Sequence, residues 1–174
     1  MIVDRPPFCQ DLCVVDITFR YEVQKSDLQS VRHLAEMAGV FNQAEVGIAA
    51  ELVQTRLEKG DASGYFFVLA EMASRLAGYT CYGPIPATDG RYEIYWIVVD
   101  PAQQRRGLGG RILLETEKQI VAAQGKRVYV ETSSCSDYQA AHAFYCKHGY
   151  HLEARLAKYH RDDDDLCIYL KLLI

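Results

Sequence analysis

The sequence predicts one α/β domain of the α+β kind, a mixed sheet of about six to seven strands flanked by about four helices. Three observations lead there. Short β-branched and aromatic runs alternate with stretches whose apolar residues recur at helical spacing. Residues 65–71 and 75–82 are joined by the short turn Met72-Ala73-Ser74 and read as an antiparallel hairpin. The strand at 92–99 runs through a helical stretch into another strand at 126–132, a crossover that sets those two strands parallel.

Taken in order, residues 1–10 read as an irregular arm, because Pro6 and Pro7 lack the amide donor that regular structure needs. Residues 14–21 form a first strand. Ser26 or Asp27 then caps a helix with the apolar stripe Leu28, Val31, Leu34, Ala35 and Ala38, stopped by Gly39. A second helix covers 43–59, with Val46, Ala49, Ala50, Val53 and Leu57 inward and Gly60 after its end. The hairpin follows, closed by Gly83-Pro84, and residues 86–90 make a polar loop. The central strand at 92–99 is β-branched and aromatic until Asp100-Pro101, where proline ends it. A helix at 107–124 precedes the strand at 126–132. Ser136 or Asp137 caps a fourth helix carrying Tyr138, Ala141, Phe144, Tyr145 and Cys146, which ends at His148-Gly149. Strands at 150–158 and 166–173 close the chain around the run Arg161-Asp162-Asp163-Asp164-Asp165. The last strand is long and apolar, suited to pairing with a second copy of the chain in a homodimer.

A length of 174 residues suits a single domain spanning 1–174, with enough chain for a substantial core. With 49% hydrophobic and 24% charged residues, the composition excludes disordered and fibrous classes. A formal net charge of -4 argues against nucleic acid as a partner. No apolar run reaches the ~20 residues of a membrane helix. The opening MIVDRPPFCQD lacks an apolar signal region, so no membrane partner and a cytoplasmic location are expected. Cys9, Cys13, Cys81, Cys135, Cys146 and Cys167 are scattered without a CxxC pair; they read as buried reduced thiols, and no metal site is expected.

The strongest local signal is RYEIYWIVVDPAQQRRGLGGRILLETE, from Arg91 to Glu117. Between its strand and its helix stands Gln104-Arg105-Arg106-Gly107-Leu108-Gly109-Gly110. Glycine lets the backbone approach closely and take positive φ, and the first amides of a helix have no internal partner. With the helix dipole they make an anion site suited to a phosphate or diphosphate, to which Arg105 and Arg106 add charged donors. A plain helix start with solvated arginines fits the same local pattern. A P-loop would need Gly-Lys-Ser/Thr, and a dinucleotide fingerprint a different glycine spacing with a later acidic residue; neither is present.

The segment resembles the acetyl-CoA signature of the GNAT N-acetyltransferase superfamily, Q/R-x-x-G-x-G/A, matched by Gln104, Arg105, Gly107 and Gly109 after the step Val99-Asp100-Pro101. Ala141-x-x-Phe144-Tyr145-x-x-x-Gly149-Tyr150 resembles that family's second signature, and the order of elements agrees over nearly the whole chain. The resemblance implies a mostly antiparallel sheet, splayed between the central strand and the following parallel strand to admit the coenzyme. It implies acetyl-CoA as cosubstrate and direct attack by an amine in a ternary complex, with no cysteine nucleophile. The coenzyme arm would pair with the outer backbone of Ile97, Val98 and Val99, where a bulge would turn an amide toward the thioester oxygen. The diphosphate would rest on the amides of Arg105, Arg106, Gly107, Leu108, Gly109 and Gly110. Many members carry an asparagine upstream of the tyrosine that touches the coenzyme arm; here that position is Tyr138.

Acetyl transfer needs an unprotonated amine, a polarised carbonyl and a proton for the departing thiolate. Tyr145 stands where the family's tyrosine protonates sulfur, and a phenol of pKa ~10 keeps its proton at neutral pH. Its place on an amphipathic helix also suits a core aromatic. Glu93 and Glu131 occupy positions that relatives use to accept the amine proton, and burial would raise either carboxyl toward neutrality. A strand-end carboxylate paired with an arginine fits both positions too. Residues 162–165, in the loop between the last two strands, border the acceptor side in such folds and would attract a cationic amine, although a solvated turn suits them as well. His142 and His148 read as surface residues. The expected acceptor is a primary amine of a small molecule. A protein lysine or N-terminal amine is the alternative, and a CoA-binding sensor without turnover is the alternative of another class. Tyr145 with two candidate bases favours the enzyme.

Overall fold

The computed structural model describes residues 16–173. The arm expected at 1–10, Val14 and Val15 of the first strand, and Cys9 and Cys13 lie outside them. The sheet has seven strands: β1 (Ile17–Arg20), β2 (Phe66–Met72), β3 (Arg75–Pro84), β4 (Arg91–Val99), β5 (Arg127–Ser133), β6 (His151–Arg161) and β7 (Asp164–Leu172). Four helices accompany it: α1 (Asp27–Ala38), α2 (Gln43–Lys59), α3 (Leu108–Ala122) and α4 (Gln139–Lys147). Strand order is β1-β2-β3-β4-β5-β7-β6. The crossover through α3 makes β4 and β5 parallel, and the other pairs are antiparallel.

Two cores lie on opposite faces. Val31, Leu34, Val46, Ala49 and Val53 of α1 and α2 pack with Phe67, Leu69, Tyr79 and Val98. Leu108, Ile112, Leu113 and Ile120 of α3 and Tyr145 of α4 pack with Val68, Ile94, Val128 and Tyr169. Each fully buried Leu, Ile or Val contributes about 1.5–3 kcal/mol relative to exposure. Gly78 permits the close approach of α3, because a Cβ there would lie 2.8 Å from Ile112 Cδ1.

A capping box starts α2: the Asn42 side chain accepts from Glu45 N at 3.0 Å while Glu45 accepts from Asn42 N at 2.7 Å. At α1 neither expected cap forms in the usual way. Ser26 makes no side-chain cap. Asp27 is buried and receives both guanidinium nitrogens of Arg20, at 2.8 and 2.9 Å. Arg20 also reaches Glu71 at 2.8 Å, so one side chain ties β1 to α1 and β2.

Two expectations for the C-terminal hairpin need correction. The apolar last strand, β7, lies between β5 and β6, where it cannot pair with a second copy; its continuous apolar run reflects burial on both faces. The acidic run is also no open loop. Only Asp162 and Asp163 form the turn, while Asp164 and Asp165 begin β7. Asp164 is buried and accepts from Ser133 Oγ at 2.6 Å and Ser134 N at 3.0 Å. Asp165 accepts from Arg155 Nε at 2.6 Å and Lys158 N at 2.7 Å. The Ser133 hydroxyl is the main reason the Asp164 carboxyl lies below its usual range.

Candidate active site

The site is built where the sheet comes apart. β4 pairs with β3 from Tyr92 opposite Pro84 up to Val99 opposite Gly78. Its pairing with β5 stops after Ile94 opposite Val130. From Tyr95 to Val99, then, one edge of β4 has no strand partner, while β5 continues against β7 alone. The ladder with β3 is irregular at the same place. Cys81 faces Trp96 and Tyr82 faces Ile94, leaving Tyr95 as the extra residue of a bulge. Tyr95 and Trp96 therefore both join the α1/α2 side, and Ile97 and Val99 return to the α3/α4 side. The bulge precedes Ile97, Val98 and Val99 rather than falling within them.

The loop after β4 is shaped by Asp100, which accepts from Ala102 N at 2.8 Å and from Gln104 N, through its carbonyl, at 3.1 Å. Gln104 Nε2 donates back to the Val99 carbonyl at 3.3 Å. Arg105 and Gly107 take left-handed φ values of 59° and 84°. The next backbone bond is Arg111 N to Gly107 O at 3.1 Å, so the amides of Arg105, Arg106, Gly107, Leu108, Gly109 and Gly110 have no acceptor among the described residues. Arg105 and Arg106 are exposed beside them.

The three glycines do different work. A Cβ on Gly107 would meet nothing within 4 Å, so its need for glycine is conformational. A Cβ on Gly109 would sit 3.4 Å from the Phe144 ring and one on Gly110 only 2.6 Å from His148 Nε2. These two glycines seat α4 on the start of α3. Leu108 is buried in the core beneath.

That seating positions Tyr145, which is 4% exposed. Its ring contacts those of Phe144, Tyr150 and Tyr169, with centroids 5.3, 5.5 and 6.1 Å away. Burial pushes its hydroxyl well above the usual phenol value, so it carries its proton at any working pH. The hydroxyl has no hydrogen-bond partner among the described residues. Nearby, Tyr150 Oη donates to buried Glu117 at 3.1 Å, and Lys171 donates to the same carboxylate at 2.7 Å.

The histidines flanking Tyr145 are half-buried packing groups, a correction to the surface reading. His148 Nδ1 donates to the Phe144 carbonyl at 2.8 Å, and His142 Nε2 lies 2.8 Å from Thr132 Oγ1 on β5. Sequence reasoning missed both, since neither helical spacing nor a ligand pair marks a histidine whose partner, Gly110 for His148 or Thr132 for His142, comes from another element. The buried-thiol reading also holds only in part: Cys81 and Cys167 are buried, Cys135 is half-buried and Cys146 is exposed, all free.

Glu93 and Glu131 come together. Glu93 aligns with Tyr129, two residues before Glu131, so both carboxylates share the face turned away from α3 and α4. Glu93 is half-buried and Glu131 exposed. Burial first, and the Glu131 charge second, raise the Glu93 carboxyl above its usual value. The Tyr95 hydroxyl is pushed up to about 12 by burial and then by Glu93. Tyr138, at the N-terminal cap of α4, is half-buried, with its hydroxyl pushed up to about 12 by burial and then by the charge of Glu45 on α2. Among the described residues, no His, Cys, Asp and Glu side chains gather in threes to hold a metal ion, and no helix is long and apolar enough to cross a membrane.

The profile of the Acetyltransferase (GNAT) family matches residues 29–150. Among solved structures, a protein from Desulfovibrio desulfuricans, described by its family as a GNAT acetyltransferase, is 39% identical at a TM-score of 0.89, covering 90% of this chain and 99% of that one. PaiA N-acetyltransferase from Thermoplasma acidophilum, in complex with coenzyme A, is 18% identical at 0.71, covering 91% and 99%. The ribosomal-protein-S18-alanine N-acetyltransferase of Escherichia coli is 19% identical at 0.71, covering 90% and 94%. No curated protein matches the chain. The profile, spanning more than half the sequence, and the 39% identity carried along nearly the full length show that the chain belongs to the GNAT family of N-acetyltransferases.

Proposed function

We propose that this enzyme moves an acetyl group from acetyl-CoA to a primary amine of a small molecule by direct attack in a ternary complex. The observation that carries the reading is the run of amides at residues 105–110 without acceptors, beside an edge of β4 that no strand pairs. The residues fit the coenzyme. Unpartnered donors at a helix start suit a diphosphate, Arg105 and Arg106 add charged donors, and the free edge at Ile97, Val98 and Val99 suits an extended amide-bearing arm. Tyr138, at the N-terminal cap of α4, would meet the coenzyme arm. When bound, the coenzyme supplies an activated acetyl thioester.

The chain's own groups do the rest. Glu93, raised by burial, accepts the ammonium proton from the acceptor, directly or through water, with Glu131 beside it holding the positive charge near. The freed amine attacks the acetyl carbon, the carbon–sulfur bond breaks, and the proton that the nitrogen sheds on becoming an amide restores the phenol that has protonated the sulfur. Tyr145, held protonated, gives its proton to the departing sulfur.

The test is thiol release from acetyl-CoA across a panel of primary amines, with thermal shift in CoA alone as a parallel measurement. Release with amines and stabilisation by CoA are expected; at 100-fold excess over Kd, stabilisation amounts to about 2.7 kcal/mol. Stabilisation by CoA with no release from any amine would overturn the enzyme reading in favour of a coenzyme sensor.

A further inference from the structure

The face carrying Glu93 and Glu131 can be mapped from strand register. One row across the sheet is Glu93, Tyr129 and Leu170, ending at His151. The next is Glu131, Ile168 and Ala154, and the third is Ser133, Leu166 and Leu156. The intervening residues Val128, Val130, Cys167 and Tyr169 belong to the core under α4, so these rows face the other way. Two carboxylates thus stand at the fork, and an apolar strip of Ile168, Ala154 and Leu156, laid over buried Leu166, runs from them to the sheet's edge. Leu156 is 45% exposed, and Ile168 and Ala154 are half-buried. On the fork's other side the lining is aromatic. Phe41, between α1 and α2, packs edge-on to Trp96 at 4.7 Å, and Tyr65 to Tyr95 at 5.6 Å.

Of the acidic run, the two aspartates on β7 are engaged, while Asp162 and Asp163 stand in the exposed turn past β6, off the rows of this face. Asp164 is bonded to Ser133 and Ser134, Asp165 to Arg155 and the Lys158 amide, and Asp163 lies 3.9 Å from Arg161. We infer that the acceptor carries a single positive charge on an apolar body, an alkyl- or arylalkylamine, with its ammonium at Glu93 and Glu131 and its body along the Ile168–Leu156 strip. The inference rests on the proposed acceptor role of the Glu93 face. A polyamine would have to lay its second charge on Ile168 and Leu156 and lose hydration there without a partner.

The experiment measures kcat/KM for a series from ethylamine to hexylamine, with phenethylamine, spermidine, an aminoglycoside and peptides with free N-termini alongside. Each added methylene that reaches the strip should raise kcat/KM about threefold to fourfold, and spermidine should fall below hexylamine. Leu156→Asp, at an exposed edge position that tolerates charge, should raise KM for hexylamine about tenfold and flatten the chain-length dependence. A flat series in the parent enzyme, or release with spermidine, the aminoglycoside or peptides alone, would overturn this inference and leave the transferase reading standing. Release with no amine at all would overturn both.

Discussion

The two sides of β4 differ in one respect that organises the molecule. Toward β3 the strand is zipped along its length, with α1 and α2 on one face and α3 on the other; toward β5 it is zipped only from Arg91 to Ile94 and then opens. On the closed side, Gly78 and Gly83 of β3 have no room for an added Cβ. The open side leaves donors and carboxylates without internal partners, an expense in folding that the fold concentrates in one place. Stability and activity should therefore separate cleanly between the two sides.

The largest effect is expected at the opening. Tyr145→Phe should lower kcat by about 10²–10⁴-fold. The melting temperature should barely change, because the hydroxyl removed has no partner among the described residues. Turnover within threefold of the parent would remove Tyr145 from the chemistry.

Glycine substitutions sharpen the contrast. A Cβ on Gly83 in β3 would lie 2.1 Å from the Gly64 carbonyl. Gly83→Ala should cost about 3 kcal/mol, visible as a fall of roughly 6–12 °C in melting temperature. Gly107→Ala meets open space and strains only a left-handed φ, at about 1 kcal/mol; its main effect should be a higher KM for acetyl-CoA. Equal losses of stability at both positions would break the distinction.

A smaller effect is expected at Glu93. Burial and Glu131 raise its folded pKa, so its contribution to stability is complete below the unfolded value near ~4.3 and is lost as pH rises through the raised folded value. Glu93→Gln removes that loss. The variant should gain melting temperature relative to the parent at pH 7 and none at pH 4, while losing the ascending limb of the kcat/KM pH profile. An unchanged limb would exclude Glu93 as the base. The smallest effect belongs to Asp162→Asn and Asp163→Asn, both in the exposed turn. Stability should stay within about 0.5 kcal/mol and KM for amines should not move, as measured by urea melts and steady-state kinetics.

How much of this was legible depended on how local its cause was. α2 was readable from its apolar stripe and from Gly60 just past its end, and the loop at 104–110 because helix-start amides and glycine backbone are local properties. The fork followed from family resemblance, and its extent, ending at Ile94, is a matter of register that no periodicity encodes. The aspartates at 164 and 165 were misread as an open loop because their partners, Ser133, Ser134, Arg155 and Lys158, are distant in sequence or out of turn spacing. Gly109 and Gly110 looked like anion-loop glycines alone; their packing against Phe144 and His148 depends on where α4 lands. The interior place of β7 escaped for the same reason, since an apolar edge strand and an apolar inner strand read alike.

The most direct measurement is a two-dimensional amide NMR titration of the labelled protein with coenzyme A. The amides of residues 105–110 should move downfield together as they gain phosphate acceptors, with those of Ile97, Val98 and Val99 shifting at the same concentration. Coenzyme that binds while those resonances stay in place would contradict the account.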